Sequence, residues 1–281
     1  MPGPEAARLP DVATDALSDL ALIEAATRAA GEVALSYWKL DPRQWDKDDD
    51  AGPVSEADIA VNDLLHRHLM TARPGYGWLS EETDDDTARL ACGRVFIIDP
   101  IDGTRAFLAG EDSFAISVAV ADQGQIVAGA VFLPAKARMY TATLSGSACV
   151  NGQPIGVSSQ TDIAEAHVLT QKASLSAEHW RGGPPVFQRH FRPSLAYRLC
   201  LAAEGRFDAM LTLRDAWEWD IAAGVLIAER AGAVVTDGHG GALRFNSAAR
   251  QTAGVIVAPP ALHAAILAAR VGRAAPVSPG G

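Results

Sequence analysis

The segment Val95-Phe-Ile-Ile-Asp-Pro-Ile-Asp-Gly-Thr104 sets two carboxylates, Asp99 and Asp102, directly after an apolar, β-favouring run. An uninterrupted run this short reads as a strand buried on both faces. Pro100 has no N–H to give a sheet ladder, so the strand is expected to stop there. Both acids would then emerge at a strand's carboxyl end, where open α/β sheets bind their ligands. A carboxylate in that position is costly unless it meets a partner. Gly103 and Thr104 follow, with backbone N–H groups and a hydroxyl that suit a phosphate oxygen. Acids beside anion-binding amides make chemical sense if metal cations sit between them.

Three further acidic signals stand at expected element ends: Asp58 at a helix start, Glu81-Glu82 after a strand, and Asp220 in Trp219-Asp220. Each has a plainer reading. Asp58 completes Ser55-x-x-Asp58, the pattern of a capping box. Asp220 could N-cap the helix that follows it. Glu81 and Glu82 open a run with Asp84, Asp85 and Asp86, and such runs are usually solvated surface. If Glu81, Asp99, Asp102 and Asp220 converge, a different physics applies. Two unit charges about 4 Å apart repel by about 4 kcal/mol at an effective dielectric of about 20. Such a set must take up protons or bind cations. The candidate ligands are all hard oxygens with no His or Cys beside them, which selects Mg²⁺, or Mn²⁺ as its substitute, over zinc. Paired ions of this kind clamp the attacking and leaving oxygens of a phosphate displacement. The residues alone therefore point to a metal-dependent phosphate-ester hydrolase.

The elements that position these acids follow from periodicity and turn chemistry. Asp15 to about Leu40 reads as a long helix with Thr14 as its N-cap, and Glu56 to about Ala72 as a second helix. An acidic loop, Asp41 to Gly52, separates them and carries Lys47. Strands are expected near Gly77–Ser80 and over Val95–Ile98. Three consecutive antiparallel strands follow over Phe114–Ala121, Ile126–Leu133 and Met139–Ala142, the first two joined by a Gln123-Gly124 turn. Beyond Asn151-Gly152, short strands (Val168–Thr170, Phe207–Leu213, Ala233–Thr236, Gly254–Ala258) alternate with helices (Ser194–Glu204, Ile221–Ala231, Ala261–Arg270). The expected organisation is an N-terminal α+β half over 11–150, carrying most acids, and a C-terminal α/β half over 151–270, carrying Asp220. Residues 1–10 and 271–281, rich in Pro, Gly and Ala, read as flexible tails.

Composition bounds the function. The chain has 281 residues, 48% hydrophobic and 21% charged, with a formal charge of −10. That is enough to bury a sizeable core, and too acidic to wrap a nucleic acid polymer. No stretch approaches the roughly 20 apolar residues of a membrane span. The N-terminus lacks the pattern of a signal peptide, and Cys92, Cys149 and Cys200 are too few and scattered for a disulfide framework. A cytoplasmic protein acting on a small phosphorylated metabolite is expected, as a monomer or homodimer. His66 and His68, two apart on a helix, cannot share a face, and Gly238-His-Gly-Gly241 reads as a turn.

Four motifs together resemble the inositol monophosphatase-like superfamily of Mg²⁺-dependent, lithium-sensitive phosphomonoesterases, and within it the bacterial 3'(2'),5'-bisphosphate nucleotidases. They are Lys47 with Pro53-Val-Ser-Glu-Ala-Asp58, Ser80-Glu-Glu82, Asp99-Pro-Ile-Asp-Gly-Thr-Arg-Ala-Phe107, and Glu218-Trp-Asp-Ile-Ala-Ala-Gly224. The resemblance spans about Asp15 to Arg270 and implies a layered αβαβα sandwich. It implies that Glu81, Asp99 and the Ile101 carbonyl hold one metal, and that Asp99, Asp102 and Asp220 hold a second. Glu81 would touch a third through water, making two or three Mg²⁺ per site. It further implies a metal-bound water as nucleophile, its proton drawn toward Thr104 and Asp58 or toward Glu81. Gly103 and Thr104 amides would bind the phosphate, with Asp102 and Asp220 beside the substrate, and Lys47 would help close the site.

Three departures bear on specificity. Ser55 replaces the usual threonine and keeps its hydroxyl. Pro193-Ser194 stands where many relatives have Gly-Ser, removing one N–H. Leu213 stands where inositol-specific members carry a glutamate, seven residues before the Trp-Asp aspartate. The first reading is therefore hydrolysis of 3'-phosphoadenosine 5'-phosphate to AMP. Inositol 1-phosphate, histidinol phosphate and fructose 1,6-bisphosphate stay open as substrates of the same scaffold. Arg214 is either surface or a contact for a second phosphate. A non-catalytic phosphometabolite binder and a purely structural protein are the alternatives of other classes.

Overall fold

A computed structural model describes residues 12–46 and 52–271. Lys47, the Asp48–Asp50 run and, Val271 apart, both expected tails lie outside the described residues. Helix α1 (Val12–Tyr37) begins ahead of Thr14, which is inside it rather than its N-cap. Part of the expected acidic loop is a short ribbon, β1 (Gln44–Asp46) pairing antiparallel with β2 (Pro53–Ser55). Helix α2 (Glu56–Ala72) has the expected bounds, and Ser55 and Asp58 form the reciprocal capping box.

Strands β3 (Gly77–Ser80), β4 (Arg94–Asp102), β5 (Ala115–Asp122), β6 (Gln125–Leu133), β7 (Arg138–Thr143), β8 (Cys149–Val150) and β9 (Gln153–Pro154) form one sheet in chain order. Only β3 and β4 run parallel. Between β4 and β5 comes a single short helix, α3 (Thr104–Leu108). A second sheet has the order β11-β10-β12-β16-β14, built from β10 (His167–Thr170), β11 (Gln188–His190), β12 (Ala209–Thr212), β14 (Val234–Thr236) and β16 (Val255–Ala258). The small pair β13 (Ala216–Trp217) and β15 (Gln251–Thr252) stands apart from both.

Alternation of side chains sorts the helices into layers. Phe96 and Ile98 of β4 pack with Ile23, Ala26 and Ala30 of α1 and with Val61 and Leu65 of α2. Val95 and Ile97 point the other way, to α4 (Leu195–Ala203) and α5 (Glu218–Arg230). Those two helices fill the space between the sheets. On the far face of the second sheet, Leu211 and Ile256 meet Leu262 and Ile266 of α6 (Pro260–Ala269). The result is the expected αβαβα sandwich. The α1 layer is fastened to the first sheet by Asp19, fully buried, which accepts from Arg73 at 2.9 Å and Arg94 at 3.2 Å.

Small residues set how closely α5 lies on its neighbours. A side chain on Gly129 of β6 would meet the Ala223 backbone at 3.1 Å. One on Gly224 would meet Leu199 Cβ of α4 at 2.7 Å. Gly224→Ala gains about 1 kcal/mol of helix propensity but overpacks the α4–α5 seam, which costs about 1–3 kcal/mol. The variant is expected to melt below the parent in a thermal scan. An unchanged or higher midpoint would show that Leu199 yields freely.

Candidate active site

The site begins with an irregularity in β4. Residues three apart on a regular strand point to opposite faces, which would separate Asp99 from Asp102. The ladder instead pairs Asp99 with Ser117 and Asp102 with Ala115, three steps on β4 against two on β5. This bulge turns both acids to one face, a common use of bulges beside sites. Pro100 sits inside it, where no ladder N–H is needed. The strand therefore does not stop at Pro100 as expected; it is interrupted there and resumes at Asp102. The Asp99 carboxylate accepts from the Ile101 amide at 3.0 Å, which holds the bulge in shape.

Neighbouring elements bring the other acids to the same face. Ser80 and Ile98 are partners in the parallel β3–β4 ladder, and the Glu81 amide continues it by donating to the Ile98 carbonyl at 3.2 Å. Glu81 is thus set beside Asp99 by register. Helix α5 starts at Glu218 with Trp217 as N-cap, so Asp220 lies in its first turn rather than capping it. The helix lies against β5, where Ser117 Oγ donates to the Trp219 carbonyl at 3.2 Å. Carboxylate oxygens of Glu81, Asp99 and Asp220 all fall within 4.8 Å of one another. Among the described residues this is the only such group of three or more acidic, His or Cys side chains.

Asp102 stands just outside that trio. Its Oδ2 accepts from Ser194 Oγ and from the Ala196 amide, both at 2.6 Å, at the start of α4. Pro193 leaves this arrangement intact, because the donors are the next residues along. Gly103, with φ +96°, turns the chain from β4 into α3 in a conformation that disfavours any side chain. Thr104 Oγ1 then lies 3.1 Å from the Ile101 carbonyl and 3.2 Å from Asp58 Oδ1. The other Asp58 oxygen accepts from the Ser55 amide at 2.8 Å and Ser55 Oγ at 2.6 Å. Asp58 therefore both caps α2 and reaches the site through Thr104. Asp85 departs from the solvated reading of its acidic run: it accepts from the buried Arg89 at 2.6 Å.

These acids cannot all hold a charge in the protein alone. Burial, reinforced by Glu81 and Asp102, holds Asp99 well above its ordinary 3.8. Burial and then Asp102 do the same to Asp220. Burial lifts Asp102 to about 6 against the pull of its Ser194 and backbone hydrogen bonds. Asp58 also rises to about 6, chiefly by burial, with the Ser55 bonds opposing. The donor set is carboxylate and carbonyl oxygen throughout, which fits a hard divalent cation.

The acids open on a cleft of about 610 Å³, also lined by Gly103, Thr104, Phe191, Arg198, Arg214 and Trp217. Arg198, Phe191 and Trp217 carry no signal of their own in the sequence. Arg198 reads as one position of a buried helix, and only the turn of α4 brings it to the cleft.

A family model of the inositol monophosphatase family matches residues 17–274. The chain belongs to this family. An inositol-1-monophosphatase of Rhizobium meliloti (strain 1021) is 34% identical over 229 residues, 78% of this chain and 85% of that one. A 3'-phosphoadenosine 5'-phosphate phosphatase of Mycobacterium leprae (strain TN) is 34% identical over 247 residues, 82% of this chain and 85% of the other. Among solved structures, extragenic suppressor protein suhB from Bartonella henselae superposes with a TM-score of 0.76 at 26% identity, over 89% of this chain and 97% of that one.

For this family member the raised acids predict an unusual stability profile. In the unfolded chain the aspartates titrate near 3.8, whereas the folded, metal-free protein keeps Asp58 and Asp102 protonated up to about 6. The folded state then binds more protons than the unfolded one, so stability falls as pH rises through that window. Metal-free protein is expected to melt several degrees higher at pH 5 than at pH 8, and saturating Mg²⁺ should erase or reverse the difference. A pH-independent melting temperature without metal would contradict the electrostatics.

Proposed function

We propose that this chain is a Mg²⁺-dependent phosphomonoesterase that hydrolyses 3'-phosphoadenosine 5'-phosphate to AMP and inorganic phosphate. The convergence of Glu81, Asp99 and Asp220 to within 4.8 Å carries the reading, because carboxylates crowded this closely need cations between them. Glu81, Asp99, Asp220, the Ile101 carbonyl and Asp102 are the groups that would hold Mg²⁺. When bound, the ions neutralise these acids, polarise the phosphate and make water a stronger nucleophile.

The chain's own residues supply orientation and proton handling. Thr104 Oγ1 bridges Asp58 Oδ1 and the Ile101 carbonyl. It can take a proton from the attacking water while passing its own to Asp58. Asp58, lifted to about 6 and already committed to Ser55 through its other oxygen, is poised to accept near neutral pH. Gly103 caps α3 and Thr104 opens it, where backbone amides have no preceding turn to donate to, and these two amides are our candidates for the phosphate oxygens. Ser194 and the Ala196 amide fix the orientation of Asp102.

Substrate choice rests on the rest of the cleft. Arg214 and Arg198 both line it, which suits a substrate with a second anionic group. Leu213 does not line it, and offers no oxygen to a sugar hydroxyl in any case. The identity shared with the Rhizobium meliloti inositol-1-monophosphatase favours inositol 1-phosphate as the second reading.

Phosphate release from 3'-phosphoadenosine 5'-phosphate, inositol 1-phosphate, histidinol phosphate and fructose 1,6-bisphosphate tests both. Turnover is expected with Mg²⁺, loss of it with chelator, and inhibition with lithium. A tenfold preference for another ester, about 1.4 kcal/mol in transition-state binding, would transfer the substrate assignment. Turnover that survives complete chelation would refute the mechanism. Asp99→Asn removes a charge and little volume. It is expected to cut turnover by at least about 100-fold, since even outer partners of a metal ligand cost about 10–100-fold. The same variant should raise the melting temperature of the metal-free protein by relieving repulsion. Near-parental activity would exclude Asp99 from the chemistry.

A further inference from the structure

Arg198 is a buried basic side chain of the cleft whose charge the protein itself does not fully satisfy. It is 2% exposed, yet its Nη1 has no hydrogen-bond partner among the described residues. Its Nε makes one long bond, 3.4 Å, to the Ser194 carbonyl one turn earlier. A buried donor left unpaired costs about 1–3 kcal/mol, more when charged. Native proteins seldom leave such a group without a purpose.

Its surroundings narrow that purpose. Asp102 and Asp220 are near enough to attract it, but neither forms an ion pair with it among the described residues, and Asp102 Oδ2 is already taken by Ser194 and Ala196. Arg214, an exposed cation on the same cleft, is near enough to repel it. Two guanidinium groups that face one cavity and push each other apart are held together best by an anion between them. Phe191 completes the wall. Its ring packs at 5.2 Å from the Arg198 guanidinium, and the side chain remains 44% exposed. A planar guanidinium fork matches the oxygens of phosphate or carboxylate, and an exposed ring beside it suits a flat organic group.

We infer that Arg198, with Arg214 and the ring of Phe191, forms a subsite for a second oxyanion of the substrate, distinct from the phosphate that is cleaved. The substrates selected are doubly anionic: a bisphosphate, or a phosphomonoester with a carboxylate, with a planar ring between or beside the two charges. Phosphomonoesters with one anionic group lose this contact and leave the buried guanidinium unanswered. The inference rests on the phosphatase reading above, and it assigns specificity to residues outside the acidic cluster.

Specificity constants of the Mg²⁺-loaded enzyme for adenosine 3',5'-bisphosphate and adenosine 3'-monophosphate test it, since the two differ only in the second phosphate. The parent is expected to prefer the bisphosphate by at least about tenfold, the scale of one charged hydrogen bond. Arg198→Met, which keeps the stem and removes the fork, should abolish that preference, lowering kcat/KM for the bisphosphate at least about tenfold more than for the monophosphate. Weaker competitive inhibition by AMP, beside unchanged inhibition by inorganic phosphate, should accompany it. Arg214→Gln changes an exposed residue and should lower the preference in the same direction, which keeps the test open if circular dichroism shows Arg198→Met unfolded. Equal use of both substrates by the parent, or equal losses on both in the variants, would overturn the subsite while the phosphatase reading stood. No turnover of either, or of the esters above, would instead overturn the phosphatase reading itself.

Discussion

Negative charge crowded into one partly buried cleft is the constraint on which the rest of this structure depends. Glu81, Asp99 and Asp220 lie within one small sphere, with Asp102 and Asp58 close behind. The fold offsets part of that cost. Helices α4 and α5 both start at the site, and the positive ends of their backbone dipoles favour carboxylates there. Ser194 and the Ala196 amide serve Asp102, and Ser55 serves Asp58. These contacts do not suffice: the upward displacement of the buried acids is the remainder. The remainder is what divalent ions would answer. Close packing makes it possible, because Gly129 and Gly224 let α5 approach β6 and α4 closely enough to deliver Asp220.

Much of this architecture is legible in the residues. Periodicity and caps place α2 and β3 at their observed bounds, and apolar alternation places the strands of the central meander to within a residue or two. The family motifs fall where four elements end. Other features are invisible to local pattern. Pro100 reads as a terminator because it cannot donate, yet a bulge needs no donor there, and the strand passes through. Asp220 reads as a cap because caps and first-turn acids look alike in one dimension; only the fold tells that Trp217 takes the cap. Asp85 reads as surface until Arg89, 2% exposed, is seen to depend on it. Arg198 is the clearest case: four residues after Ser194, it belongs to an apolar helical stretch, and its chemistry appears only when three elements meet around it.

Family membership and site geometry answer different questions. The match over residues 17–274 and the layered fold assign the chain to the inositol monophosphatase family. Named relatives of nearly equal identity act on different phosphate esters, so identity alone does not choose among them. The choice falls to the cationic and aromatic residues of the same cleft. There, on our proposal, the cations of Arg198 and Arg214 and the exposed ring of Phe191 would select a second anion and a flat group over a neutral polyol. One half of the site would break the ester, and the other half would decide which ester arrives.

The most direct test of the central claim is anomalous diffraction from crystals equilibrated with Mn²⁺. At least one strong anomalous peak is expected, bounded by carboxylate oxygens of Glu81, Asp99 and Asp220, and is expected to vanish in crystals of Asp99→Asn. Crystals at millimolar Mn²⁺ with no peak in that position, or with peaks only at surface acids elsewhere, would contradict it.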